Sequence, residues 1–164
     1  MKNIAERPFD EVHFGGPDMP AYRLRDLLEE RIAAVPSGGA IDWVTYYFRD
    51  RRLAEALIQA QHRGVKVTVT LERSPRTASA NKMVEAMLSG ENGLGAGFRS
   101  LSLPRVPTPV GIVWKPHLHE KLYCFSHPKP TAFIGSFNPS GDSPEDQPEI
   151  LREIGESGLF RDNG

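Results

Sequence analysis

The feature that most constrains the fold of this chain is a change of hydrophobic periodicity in its first half. Residues 40–48, AIDWVTYYF, are rich in β-branched and aromatic side chains, which is typical of a strand. In residues 51–62 the apolar positions share one helical face, and Asp50 is placed to cap that helix. Gly64 ends the helix, and residues 65–71, VKVTVTL, alternate as a second strand. A strand, a helix and a strand in this order predict an α/β domain.

The segments on either side continue the pattern. A helix is expected over residues 21–35, and another over 78–88 with Met83, Ala86 and Met87 facing the core. Short strands are expected over residues 98–103, 118–125 and 131–135, with an ordered, proline-rich loop over 104–117. The sequence therefore predicts a mixed β-sheet flanked by helices.

The domain organisation follows from the ends of the chain. Residues 1–17 are polar and contain Gly and Pro, so we expect an irregular lead-in, with a single domain over 18–164. The tail from Pro139 is rich in Asp, Glu and Pro and predicts one short strand or helix near residues 150–154. Its abrupt end also fits a truncation at the C-terminus.

The charge and the N-terminus limit the classes of function. The formal net charge is -1, so no basic field covers the whole protein, and a phosphate needs a local cationic site. The N-terminus lacks the apolar core of a signal peptide, and no apolar run reaches the length of a membrane span. We therefore expect a soluble protein, with the cytoplasm favoured. The single cysteine, Cys124, excludes an intrachain disulfide.

Four polar residues near the C-terminal end of the predicted sheet can handle a phosphoryl group. Side chains alternate along a strand, so His119 and Lys121 are expected on one face, and Ser136 and Asn138 follow the next strand. An ammonium neutralises charge, a hydroxyl and an amide donate hydrogen bonds, and an imidazole can attack phosphorus. If the two strands are neighbours, these groups converge into a phosphate site.

The same residues resemble a known family. His119-Glu120-Lys121 followed by Gly135-Ser136-Phe137-Asn138 is similar to the H-x-K and G-S-x-N signature of the phospholipase D superfamily. The likeness extends to the strand–helix–RGV–strand segment and covers about residues 40–153. It implies a phospholipase D-like domain that hydrolyses a phosphodiester with neither a metal nor a cofactor.

The resemblance also implies roles for single residues. His119 corresponds to the nucleophile that forms a covalent phosphohistidine. The family has an acidic residue beyond the asparagine that holds the histidine Nδ1–H, and Glu149 is the position that we match to it, with Glu153 as the second choice. Lys121, Ser136 and Asn138 match the residues that hold the phosphate.

One position departs from the family. The fuller pattern, H-x-K-x4-D, places an aspartate where this chain has Ser126. In the family that aspartate is structural, and some superfamily phosphodiesterases that act on nucleic-acid ends also lack it. The substrate therefore stays open between phospholipid and nucleic acid. The departure also supports a second hypothesis, a catalytically silent phosphate-binding or scaffold module of the same fold.

The number of motifs predicts an assembly. The superfamily site uses two sets of H-x-K with G-S-x-N, one histidine attacking and the other protonating the leaving group, whereas this chain has one G-S-x-N and so one complete set. We therefore expect a homodimer in which each copy supplies His119 about a two-fold axis. A second motif in a missing C-terminal half is the alternative.

Two further groups of residues allow other interpretations, a zinc site and a surface contact. His117, His119, Cys124 and His127 contain metal-ligand types, but their spacing matches no common zinc finger, and strand alternation turns Cys124 away from His119. Trp114, with Lys115, fits equally a contact to a lipid headgroup or base and an aromatic packed on the domain edge.

Overall fold

The protein is described by a computed structural model that covers residues 11–15, 19–20 and 22–140. The predicted acidic positions Glu149 and Glu153, and the element expected near residues 150–154, lie outside these ranges. The division into a lead-in over 1–17 and a domain over 18–164 therefore stays a prediction.

The described chain contains alternating helices and strands. The helices are α1 (Arg23–Ala34), α2 (Arg51–His62) and α3 (Lys82–Ser89), with a 3-10 turn at Gly95–Gly97. The strands are β1 (Ala40–Thr45), β2 (Lys66–Glu72), β3 (Phe98–Leu101), β4 (Val106–Pro107), β5 (Val113–Trp114), β6 (Lys121–Phe125) and β7 (Thr131–Ile134). Five of these strands form one sheet in the order β3-β2-β1-β6-β7, and β4 pairs with β5 separately.

The sheet is mixed, as the sequence predicts. β1, β2 and β3 run parallel, because helices connect them, whereas β6 and β7 are antiparallel to their neighbours. Asp50 caps α2 by accepting a hydrogen bond from the Leu53 backbone at 3.0 Å. The buried face of the sheet carries the core, where the Trp43 and Tyr123 rings meet across β1 and β6 at 4.2 Å.

Two predicted elements differ from the structure near their ends. β1 stops at Thr45 instead of continuing to residue 48, because side-chain amides replace the strand ladder there: Asn138 accepts from the Tyr47 backbone and Asn81 from the Phe48 backbone. His119 precedes β6, which begins at Lys121. The expected strand over residues 118–125 is therefore three residues too long at its start.

The predicted inner face of α3 is partly wrong. Met83 and Ala86 are exposed, Met87 packs partly against the core, and Val84 and Leu88 are the buried residues. The helix begins at residue 82 rather than 78, and Asn81 at its N-terminus is fixed by buried hydrogen bonds to the strand ends. That anchor sets the rotation of the helix about its axis.

The proline-rich segment 104–117 is also more regular than expected. It contains the two-stranded hairpin of β4 and β5, in which Val106 pairs with Trp114. No helix in the described residues is both long and apolar enough to cross a bilayer.

Candidate active site

The predicted site residues within the described ranges, His119, Lys121, Ser136 and Asn138, lie at one edge of the sheet. β1 and β2 end there, β7 ends there, and β6 begins there because it runs antiparallel to β1. Lys121 pairs with Thr45, the last residue of β1, and the Lys121 carbonyl accepts a hydrogen bond from Gly135 at 3.3 Å. The carboxyl edge of parallel strands is where α/β sheets present ligand-binding loops.

His119 and Lys121 are in direct contact. The Lys121 ammonium lies 3.1 Å from both ring nitrogens of His119 and donates to the His119 carbonyl at 3.0 Å. Lys121 is 3% exposed, on the same face as the core, whereas His119 is exposed. Because a lysine ammonium has only donors, a hydrogen bond to the imidazole requires a ring nitrogen with a free electron pair. That is the form in which a histidine can attack.

An aromatic ring supports this pair from below. The Tyr46 ring lies 4.7 Å from the His119 ring and 5.6 Å from the Lys121 ammonium. Tyr46 is itself buried, and its hydroxyl accepts a hydrogen bond from the Arg76 backbone at 2.6 Å. The imidazole therefore rests on a fixed ring, which limits the orientations that it can adopt.

The segment after β7 is fastened to the segment after β1. Asn138 is buried, and its Oδ1 accepts from the Tyr47 backbone at 3.2 Å, which leaves the amide nitrogen as the donor end. The Pro139 carbonyl accepts from two backbone N–H groups, those of Arg49 at 2.7 Å and Asp50 at 2.9 Å. Asn138 is thus held beside the chain that carries Tyr46.

Tyr123 fixes the same segment from within the sheet. Its hydroxyl donates to the Phe137 carbonyl at 2.6 Å, and burial raises the pKa of this phenol. Phe137 packs against the core, while Ser136 is exposed. The exposed hydroxyl and the buried amide therefore lie on either side of an anchored residue.

Glu72 is a residue at this edge that the sequence interpretation missed. It ends β2 and is 1% exposed. Its Oε2 accepts from the Leu118 backbone at 2.7 Å, and its Oε1 accepts from the Ser74 backbone at 2.9 Å and the Ser102 hydroxyl at 3.3 Å. Glu72 therefore holds the residue just before His119. A carboxylate that ends the apolar strand VKVTVTL is the signal that could have found it.

Asn81 was missed as well. Its side chain accepts from the Phe48 backbone at 2.9 Å and donates to the carbonyls of Tyr46 at 2.9 Å and Glu72 at 3.1 Å. One buried amide thus joins the ends of β1 and β2. Nothing in the local pattern around residue 81 distinguishes it from a turn asparagine.

Ser126 lies at the opposite end of β6. Its hydroxyl accepts from the Ala40 backbone at 2.7 Å and bonds to the His127 Nδ1 at 2.9 Å, and its own N–H donates to the Ala40 carbonyl at 3.0 Å. The position that departs from the family pattern is therefore used to fasten the start of β1, away from His119.

The histidines and cysteine considered as zinc ligands do not form a cluster. Within the described residues, no three His, Cys, Asp or Glu side chains group in a way that could hold a metal ion. Cys124 is half-buried. Its burial, and to a smaller extent the negative charge of the nearby Asp42, raise the pKa of its thiol. His119 instead faces Lys121.

Comparisons with known proteins place this geometry in a family. The family model described as Cardiolipin synthase, PLD-like domain, matches residues 36–160, which include the whole edge from His119 to Asn138. A phospholipase D family member, Nuc from Salmonella typhimurium, superposes with a TM-score of 0.51 at 18% identity, over 84% of this chain and 88% of that chain. NucT from Helicobacter pylori gives 0.49 at 18% identity, over 85% and 89%. A search of curated proteins gave no match.

The chain belongs to the phospholipase D superfamily, as the motifs predict. The likeness to Nuc confirms the predicted fold class, a mixed sheet flanked by helices.

Proposed function

We propose that this protein is a phosphodiesterase that cleaves its substrate through a covalent phosphohistidine on His119. The observation that carries the proposal is the contact between the exposed His119 imidazole and the buried Lys121 ammonium, 3.1 Å apart. Family membership supports the same chemistry. A nucleophile that is open to substrate beside a fixed positive charge is what attack on an anionic diester requires.

The proposed reaction has two steps. A ring nitrogen of His119 attacks phosphorus, so that a P–N bond forms, an ester P–O bond breaks, and the leaving oxygen takes a proton from a general acid. The same acid, now deprotonated, takes a proton from a water molecule that attacks the phosphorus, the P–N bond breaks, and the second product leaves with His119 and the acid restored. No metal or cofactor is required in either step.

The surrounding groups have separate tasks. Lys121 neutralises the charge that grows on the phosphoryl oxygens, and its burial makes this attraction stronger than it would be in water. Ser136 and the Asn138 amide nitrogen supply neutral hydrogen-bond donors. Glu149 accepts the His119 Nδ1–H and orients the ring.

The general acid comes from a second copy of the chain. The sequence has a single G-S-x-N and so a single complete motif, because its other H-x-K triplet, His127-Pro128-Lys129, lies beyond the opposite end of β6. His119 is exposed, so a partner about a two-fold axis can bring its own His119 to the same phosphate. One imidazole must be neutral and the other cationic, so the pair titrates as a unit. The homodimer therefore completes the active site.

The substrate is a phosphodiester of a phospholipid or of a nucleic acid. Cleavage of nucleic acid is expected to weaken steeply as salt rises, because phosphate contacts release counterions. Cleavage of phospholipid is expected to rise when the lipid forms an interface. Comparing the two dependences on one preparation separates the classes.

The test of the mechanism is the His119→Ala variant, with His62→Ala as control because His62 is an exposed histidine at the far end of α2. Cleavage of a chromogenic phosphodiester in the presence of chelator is expected to fall on the order of 10⁴-fold in the first variant only. Activity that survives in His119→Ala contradicts the proposal. Wild-type protein that binds a phosphate analogue without turnover supports the silent module instead.

The shared site has its own test. Wild-type and His119→Ala protein are mixed in equal amounts and allowed to exchange subunits. If each site needs both histidines, mixed dimers are inactive, and activity falls to about a quarter of the all-wild-type value. A fall to about half, in proportion to the wild-type fraction, shows that each copy works alone.

A further inference from the structure

The hairpin of β4 and β5 is exposed and directly precedes the candidate site in the chain. Its two strands pair at Val106–Trp114 and Pro107–Val113, five residues before His119 in the chain. The tip is held by Thr108, whose backbone N–H and hydroxyl donate to the Ile112 carbonyl at 2.9 and 2.7 Å. Gly111, with a φ of 78°, closes the turn. The hairpin is therefore preformed.

This hairpin exposes apolar side chains to an unusual extent. Val110 is 78% exposed, Ile112 65% and Trp114 59%. All residues from 104 to 115 except Thr108 are exposed. Paired residues share a face, so Val106 with Trp114 and Pro107 with Val113 leave both faces of the hairpin open. Contiguous apolar surface of this kind marks a binding site.

The charged residues of the hairpin segment, residues 104–117, are all basic. Arg105 and Lys115 flank the two strands, and the sequence from 104 to 117 contains no Asp or Glu. This contrasts with the formal net charge of -1 for the whole chain. The hairpin thus has two cationic residues where it joins the domain, an apolar tip, and a tryptophan between them. This order matches an anionic bilayer surface, where Trp lies at the headgroup level and Lys or Arg contacts the phosphates.

We propose that this hairpin docks on an anionic lipid bilayer by inserting its apolar tip. A bilayer surrounds an inserted element, so it covers both open faces, whereas a flat protein surface covers one. Five residues separate Trp114 from His119 and span at most about 18 Å, so docking keeps the exposed His119 within that reach of the bilayer surface. That consequence rests on the proposed phosphodiesterase, and it favours a phosphodiester held in the membrane as the substrate. The docking itself does not require turnover.

The chain provides its own reporter for the test. Of its two tryptophans, Trp43 is 0% exposed and Trp114 is 59% exposed, so a change of emission on adding vesicles reports the hairpin. Phosphatidylcholine vesicles with phosphatidylglycerol are compared with phosphatidylcholine alone. We expect a blue shift and cosedimentation that are stronger with the anionic lipid. The Trp114→Phe variant keeps an apolar ring, and should cosediment while losing the shift.

Matched variants separate the hairpin from general stickiness. Ile112→Ser and the pair Arg105→Gln with Lys115→Gln are each expected to weaken vesicle affinity by about tenfold. Met83→Ser and Lys82→Gln, on the exposed face of α3, are expected to leave it unchanged. Circular dichroism of every variant checks folding.

Each other outcome overturns the docking proposal. One is the absence of vesicle binding, and another is binding that is equal in Ile112→Ser. A Trp114 shift that depends on protein concentration without lipid identifies a second copy as the occupant, and quenching by single-stranded DNA identifies nucleic acid. Measuring His119→Ala in parallel keeps the two proposals apart, since vesicle binding by this variant stands or falls independently of cleavage.

Discussion

The two ends of β6 carry polar residues that make different kinds of contact. At its start, Lys121 is buried and contacts an exposed His119, and the neighbouring segments bring Asn138 to the same edge. At its end, the Ser126 hydroxyl and backbone both bond to Ala40, the first residue of β1. We propose that the first end presents groups to a substrate, whereas the second joins β6 to the start of β1.

This difference bears on the position where the chain departs from its family pattern. A serine in place of the aspartate removes a charge from the second end and leaves the Lys121 end as it is. Because the Ser126 hydroxyl can accept the Ala40 N–H, the structural task at this position is still carried out. These hydrogen bonds of Ser126 therefore weaken the support that its departure from the family pattern gave to the silent-module hypothesis.

The largest expected effect of the comparison is at Lys121. Lys121→Met keeps the length and the apolar stem of the side chain and removes the charge, so turnover is expected to fall on the order of 10³-fold. The measurement is kcat on a chromogenic diester, with the thermal midpoint as a folding check. Lys66→Met, an exposed lysine at the start of β2, serves as the control. An equal fall of kcat in both variants would contradict a specific role of Lys121 in catalysis.

Glu72 tests whether the Lys121 end depends on its backbone support. Glu72→Gln disturbs the hydrogen bonds to Leu118 and Ser74, so His119 is expected to shift and the single-turnover rate to fall by about tenfold. Substrate affinity should not change, because Glu72 is buried beneath the loop. Ser102→Ala removes the 3.3 Å contact to the same carboxylate and a 3.2 Å contact to the Ser74 hydroxyl but leaves the bond to Leu118, and it is the control. A loss of affinity without a loss of rate would contradict this role.

Tyr123, in the middle of β6, gives a pH dependence. Its ordinary pKa is 10.0, and burial raises it in the folded protein. As the pH rises, the phenol therefore loses its proton in the unfolded chain before it does so in the folded protein. The contribution of Tyr123 to the free energy of unfolding is fully present below pH 10.0 and declines as the pH rises above it. Tyr123→Phe is expected to cost about 1–2 kcal/mol at neutral pH, because the Phe137 carbonyl loses its donor, and to reduce that decline. Urea unfolding at several pH values measures both; equal slopes in the two proteins would contradict it.

The smallest effect is expected at Ser126. Ser126→Ala removes the acceptor for the Ala40 N–H and should lower the free energy of unfolding by about 1 kcal/mol, with activity within about twofold of wild type. Ser126→Asp restores the family residue and should not raise the rate. Parallel urea and activity measurements decide between the roles. A hundredfold change in rate in either variant would contradict a purely structural role for Ser126.

Local pattern predicted the elements, and long-range hydrogen bonds set their limits. The alternation in residues 65–71 and the cap at Asp50 gave β2 and α2 almost to the residue. The end of β1 was missed, because amides from residues 81 and 138 compete for its backbone N–H groups. No local signal records a partner that is more than 30 positions away.

The candidate site divides in the same way. Its proposed reactive groups, His119 and Lys121, were predicted from residue type, spacing and the family resemblance, and the structure brings them into contact. Their catalytic roles stay a prediction. Glu72 was overlooked, since a carboxylate at a strand end is usually a solvated charge. Its role exists only because the fold brings Leu118 to the end of β2.

The central claim is that the start of β6 performs covalent chemistry through His119, and trapping the intermediate tests it most directly. Wild-type protein is quenched with alkali during turnover, which preserves phosphohistidine, and its peptides are analysed by mass spectrometry. The account predicts a phosphoryl adduct on the peptide that carries His119, present in Ser126→Ala and absent in His119→Ala. Cleavage of the diester with no adduct on that peptide, or with the adduct on another residue, would contradict it.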